Sequence, residues 1–138
     1  MKILFRWTDA LGRPATEQLS AGGREGPSGL DIQAQGEVQL AAYPDAAAVE
    51  AFARFNVQSS VSFNVTRLFT NSVSADQFIL GRGRLPGVKG SLEFTLESSG
   101  GTGGGLVTFT GCCCVLARAR AVGLSAIATY QFVGGRIT

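Results

Sequence analysis

Four groups of residues in this chain have the types and spacing that could do chemistry. The first is the basic, glycine-rich stretch Arg82-Gly83-Arg84-Leu85-Pro86-Gly87-Val88-Lys89-Gly90-Ser91. A phosphate-binding loop needs Gly and Lys adjacent before Ser or Thr, so that backbone N–H groups and the ammonium converge on one phosphate. Here Val88 and Gly90 break that pattern, and the stretch follows a helix where such a loop should follow a strand. It reads instead as a solvated basic turn, with Arg82, Arg84 and Lys89 as a contact loop for an acidic partner or a nucleic-acid backbone.

The second is Cys112-Cys113-Cys114. Zinc ligands are usually spaced two to four residues apart and come as two pairs, and the chain contains no histidine, so no metal site is expected. A thiol nucleophile would need a base, and without histidine only carboxylates, Lys2 or Lys89 remain. Neighbouring cysteines on a strand face opposite ways and cannot pair with each other, so they read as reduced thiols, mostly packed as small hydrophobes. The third group is Glu93 and Glu97, the closest carboxylate pair in sequence. On an extended strand they would stand roughly 13 Å apart, too wide for joint acid–base work. The fourth is Arg118 and Arg120, on one face of a strand and opposite Ala117 and Ala119. They would line a wet outer surface, a subunit interface or a channel wall. No catalytic constellation and no cofactor site is expected, and an enzyme is the least favoured class.

Composition narrows the remaining classes. The 138 residues suit a single domain with a core of its own, and 19 glycines with 16% charged residues favour β structure with many turns. Up to Phe69 there are six cations against seven carboxylates, and beyond it six against three, giving a net charge of +2. That balance is too weak to mark nucleic acid as the main partner, though a non-specific DNA contact stays open. No secretory leader is expected, because Arg6 interrupts the apolar start, and the longest apolar run, Cys112–Ala117, is far shorter than the roughly 18 to 20 residues that cross a bilayer. No membrane contact is expected, and the reduced cysteines suit a cytoplasmic setting.

The positioning elements are mostly strands. Ile3, Phe5 and Trp7 share one face of an opening strand, and Asp9 to Pro14 is turn-forming. Segments 18–29 and 98–105 are glycine-rich and aperiodic and should be exposed loops or arms. Leu30–Ala34 and Val38–Ala42 alternate as strands, with Gly36 as a turn or bulge between them. Pro44–Phe55 has a helical composition with Asp45 near the N-terminus, and Val61–Phe69 is the clearest strand of the first half. Ser74 with Gln77 fits a capping box for a short helix ending before Pro86. Leu92, Phe94 and Leu96 share one face of a further strand. The last third is a meander: a strand at Leu106–Thr110, a long one near Cys112–Val122, a turn at Gly123 and a closing strand at Leu124–Val133, on which Ala126, Ala128, Tyr130 and Phe132 share a face. The expected fold is mainly β, an antiparallel β-sandwich or barrel with one or two short flanking α-helices, in one domain over 1–138.

This order of elements carries a family likeness over Val61 to Gly135. A strand ending Val65-Thr66-Arg67-Leu68-Phe69, the helix Ser74–Leu80 closing on Leu85-Pro86, the strand Gly90–Leu96, a glycine-rich loop and the finish Thr129-Tyr130-Gln131-Phe132-Val133-Gly134-Gly135 resemble small structural proteins of tailed-bacteriophage virions, of the tail-tube and tail-completion kind. The resemblance implies a non-enzymatic virion protein, assembled in the host bacterial cytoplasm and forming rings with copies of itself, hexameric among other orders, against other virion proteins. A capsid-decorating or head–tail joining protein is the alternative within that class. A monomeric β-sandwich ligand-binding module is the alternative outside it. The glycine-rich segments would then be arms that become ordered on a neighbouring copy.

Overall fold

The computed structural model describes residues 1–22, 27–41, 51–96 and 104–138, with the backbone alone for 35–41 and 51–58. Eight strands, β1 (Lys2–Thr8), β2 (Pro14–Ala21), β3 (Pro27–Ala41), β4 (Ala51–Leu68), β5 (Lys89–Thr95), β6 (Leu106–Val122), β7 (Ser125–Val133) and β8 (Arg136–Ile137), form one antiparallel sheet. The order across it is β2-β1-β5-β6-β7-β4-β3, with β8 paired to β6. One helix, α1 (Ser72–Gly81), and a 3₁₀ turn at Arg82–Arg84 connect β4 to β5. The mainly β, antiparallel architecture with one short helix is the one expected, and the sheet is not closed.

An open sheet with one apolar face must hide that face, and this one does so by curling over itself. Phe5 on β1 and Phe132 on β7 are three strand-to-strand steps apart, roughly 14 Å in a flat sheet, yet their ring centroids lie 5.0 Å apart. Phe63 on β4 and Phe94 on β5, also three steps apart, meet edge to face at 6.1 Å. The roll is tied near its ends as well, because Arg67 Nη1 of β4, the strand next to terminal β3, donates to the Gln18 carbonyl of terminal β2 at 3.0 Å. The enclosed cluster takes residues from β1, β2, β4, β5, β6 and β7, among them Ile3, Val61, Leu92, Phe109, Tyr130 and Phe132, all fully buried. β7 shows the pattern most cleanly, with Ala126, Ala128, Tyr130 and Phe132 at 0% exposure and half-buried residues between them. That is the face expected from its alternation.

β6 keeps its faces correct only by breaking its own alternation. Phe109, Cys112, Cys114, Ala117 and Ala119 all pack inward, which no period of two allows. Two bulges repair the phase: one extra residue near Gly111, whose φ is +69°, and a second at Val115. A left-handed φ suits glycine because no Cβ collides with the backbone. The two strands expected at Leu106–Thr110 and Cys112–Val122 are therefore one.

Four other expectations are changed or decided. The described parts of the arm expected at 18–29 belong to the sheet, since β2 runs to Ala21 and β3 begins at Pro27, with their backbones paired to β1 and β4, while 23–26 lie outside the described residues. The expected helix over Pro44–Phe55 is corrected where it is described: Ala51 to Phe55 belong to β4 and pair with β3, so ladder partners outweigh the helix preference of alanine. Its first part, 44–50, lies outside the described residues, as does the 97–103 portion of the second expected arm. Gly36 is not a turn, because pairing continues on both sides of it; it stands opposite a bulge in β4, where one extra residue lies between Phe55 and Gln58. The helix cap lies one turn earlier than the capping box suggests. Asn71 is extended, and its Oδ1 accepts from the Ser74 N–H at 2.8 Å.

Candidate functional site: the arginines inside and outside the sheet

The basic stretch 82–91 does not form one exposed loop. Arg82 is 2% exposed and is built into the body. Its Nη2 pairs with the Glu17 carboxylate of β2, its Nη1 donates to Tyr130 Oη at 2.9 Å, and its Nε donates to the Phe78 carbonyl at 3.0 Å. The guanidinium also lies over the Phe78 ring, 4.1 Å from the centroid. This corrects its reading as a contact residue. An arginine one helical turn past Phe78 reaches back into the sheet's fold, where a carboxylate and a phenol satisfy it. Burial pushes the Tyr130 phenol up to about 12, with the Arg82 charge working against that rise.

Arg84 and Lys89 are exposed, but the backbone between them is already engaged. Gly87 N–H donates to the Cys114 carbonyl at 2.7 Å, Val88 N–H to the Leu85 carbonyl at 3.1 Å, and Cys114 N–H to the Val88 carbonyl at 3.0 Å. The segment is a strap stitched to β6, with no cradle of free N–H groups for a phosphate. Gly90 is needed for packing: a Cβ there would strike the Arg6 carbonyl oxygen and sit 3.0 Å from atoms of Phe5 and Trp7.

Cys112 and Cys114 are fully buried, and burial pushes both thiols from 9.0 up to about 11, so they are inert packing groups at neutral pH. Cys113 is half-buried on the opposite side, and all three are free. Among the described residues no group of three or more His, Cys, Asp or Glu side chains could hold a metal ion. Glu93 is paired with Arg6 at 3.0 Å, while Glu97 lies outside the described residues.

Arg118 and Arg120 are brought together, on the outward face of the β4–β7–β6 part of the sheet. The register places Arg118 opposite Thr129 and Thr129 opposite Asn64, with Arg120 opposite Ile127 and Ile127 opposite Thr66. On β4 the outward positions are Ser60, Ser62, Asn64, Thr66 and Leu68. On β7 they are Ser125, Ile127, Thr129, Gln131 and Val133, and on β6 beyond the second bulge they are Leu116, Arg118, Arg120 and Val122. None of these is acidic and none is aromatic. Arg118 and Arg120 are exposed, and neither makes an ion pair with a described residue. They border a shallow groove of about 520 Å³ with Asn64, Ala119, Ile127 and Thr129, in which Thr129 Oγ1 donates to Asn64 Oδ1 at 2.7 Å. Asn64 and Thr129 carry no signal of their own in the sequence, because only the register shows that they flank an arginine.

No protein-family model matches the chain, and no curated protein is similar to it in sequence. Among the described residues no helix is long and apolar enough to cross a membrane.

Proposed function

We propose that this chain is a non-enzymatic structural subunit of a virion, of the tail-tube kind, that assembles with copies of itself into rings. The observation that carries the reading is the ribbon formed by the ends of β3 and β4. β7 pairs with β4 only from Ser60 onward, whereas β3 and β4 continue together from Gln35–Gln58 out to Ala41–Ala51. Among the described residues this stretch pairs with no third strand. At about 3.3 Å per residue it runs roughly 20 Å past the shared sheet. Its sequence includes Val38, Leu40, Phe52, Phe55 and Val57, and Leu40 stands opposite Phe52.

A two-stranded ribbon is marginal in water by itself, and one with this composition gains stability when another surface covers it. An open sheet supplies such a surface, because its terminal strands β2 and β3 each present an edge to which a neighbour can add. Ribbon-to-edge contact between unlike patches is head-to-tail, and head-to-tail contacts close into rings when the rotation permits. The arm in this reading is the β3–β4 ribbon in place of the segment at 18–29. The resemblance of the sequence over Val61 to Gly135 to small tailed-phage structural proteins supports the placement in a virion.

Light scattering and negative-stain micrographs of the purified chain test it. Rings or tubes are expected, and replacing residues 38–54 with an Asn-Gly turn should leave a folded particle of one copy. A full-length chain that stays monodisperse near 14.4 kDa at high concentration would overturn ring assembly and favour a monomeric binding module. Compact discrete oligomers without a bore would favour a capsid-decorating protein.

A further inference from the structure

We infer that the outward face of β4, β7 and β6 is a contact surface for the phosphate backbone of double-stranded nucleic acid, with Arg118 and Arg120 as its two charged contacts. Both guanidiniums are exposed and lack a carboxylate partner among the described residues. In contrast, the side chains of Arg6, Arg13 and Arg82 are engaged by Glu93, Asp9 and Glu17. The small net charge of +2 understates the surroundings of the pair, since these three carboxylates are each taken by another arginine and the acidic position on the adjoining strand, Asp31, stands opposite Ser62 at the far side of the face.

The chemistry around the two arginines selects the ligand. Guanidinium forks match phosphate oxygens in a bidentate way, and Ser, Thr, Asn and Gln side chains are the usual auxiliary donors to phosphate. Here Asn64, Thr66 and Gln131 stand near the pair on the same face, with Asn64 held by the Thr129 hydroxyl so that its amide N–H groups remain to donate. Two positions apart on a strand, the arginine Cα atoms are spaced roughly 6.7 Å, about two axial phosphate steps of one B-form strand. Single-stranded nucleic acid is disfavoured because its binding relies on base stacking, and the described outward positions around the two arginines carry no aromatic residue. Base-specific readout is equally disfavoured, because the two arginines stand on a broad sheet face and not on a helix or two-stranded ribbon that could enter a groove. The contact is therefore independent of sequence and salt-sensitive.

This inference rests on the face and not on ring formation. The test is fluorescence anisotropy of a labelled 30-base-pair duplex titrated with the purified chain at 20 to 200 mM KCl, with light scattering on the same samples. Two phosphate contacts per engaged copy predict a roughly tenfold loss of affinity between 50 and 200 mM. Arg118→Gln with Arg120→Gln should weaken binding at least tenfold at the lowest salt. The charge-matched control, Arg84→Gln with Lys89→Gln, should leave it within twofold. Equal loss in the control would reduce the effect to net charge and overturn the assignment, as would no binding by the parent chain or no change in the arginine variant. If the arginine variant changes oligomeric size, the face is an interface between copies and the inference fails. If poly-glutamate or single-stranded DNA competes as well as duplex, the partner is not a duplex. Protection of Arg118 and Arg120 from phenylglyoxal by duplex, read by mass spectrometry on the parent chain, holds the test together if the variant folds poorly, and absent protection would overturn it. A monomer that binds duplex through these residues would sink the ring reading and leave this one standing.

Discussion

The inward and outward faces of β4, β7 and β6 are made by alternate residues of the same strands, and they solve opposite problems with the same side-chain type. Inside, Arg82 enters from the helix and is fixed by Glu17, Tyr130 and the Phe78 ring and carbonyl. Outside, Arg118 and Arg120 stand among hydroxyl and amide groups with no described counter-charge. A buried guanidinium must be satisfied internally or the fold is penalised, whereas an exposed one is already satisfied by water and remains available. The difference teaches that one arginine is committed to architecture and the other two are free for a partner.

Four measurements break or sharpen that contrast, in descending effect. Phe132→Ala should cost the most, about 3–5 kcal/mol, since its ring lies between Phe5 and Phe63 with no exposed surface, and denaturant unfolding reads it. Arg82→Met should cost about 2–3 kcal/mol by the same assay, below the loss typical of a fully buried pair because Glu17 keeps 28% side-chain exposure. Glu17→Gln should cost less, because an amide oxygen still accepts from the guanidinium.

The third measurement is the pH dependence of unfolding. Burial favours the neutral Cys112 and Cys114 thiols and the neutral Tyr130 phenol, so the folded chain holds these protons to higher pH than the unfolded chain does. The stability they confer is complete below the unfolded thiol value of 9.0 and is lost as pH rises through about 11 and then about 12. Cys112→Ala with Cys114→Ala should flatten the first part of that fall. Titration of native thiols at pH 8 with an aromatic disulfide reagent should find one reactive group, Cys113, and three after unfolding. The smallest effect belongs to the outward pair: Arg118→Gln or Arg120→Gln should move stability by less than about 0.5 kcal/mol. A larger loss would mean that these residues hold the fold together, and the contrast between the two faces would collapse.

The alternation of β7 and of residues 61–65 was legible in the sequence because each strand buries one face against a common core, and that leaves a period-two trace. The outward placement of Arg118 and Arg120 opposite Ala117 and Ala119 was legible for the same reason. The fate of Arg82 was not, because its partners Glu17 and Tyr130 are 65 and 48 residues away, and nothing local separates a solvated arginine from one that reaches into a fold. The glycines at 22, 23, 26 and 29 suggested an arm, but Gly29 lies inside β3 and the residues before Gly22 belong to β2. The alanines of 46–53 suggested a helix, but from Ala51 the ladder with β3 decides the conformation, and a ladder is a non-local fact.

The two unopposed residues of β6 have a further meaning for how the sequence can change. Each is slack in the strand: removing Val115, or one residue at Thr110–Gly111, would let the ladder run regularly while every aromatic stays within and both guanidiniums stay without. Gaining or losing a single residue in β5 or β7 has no such reserve and would turn part of the wall inside out. Changes in strand length should therefore be tolerated in β6 before they are tolerated in either of its neighbours.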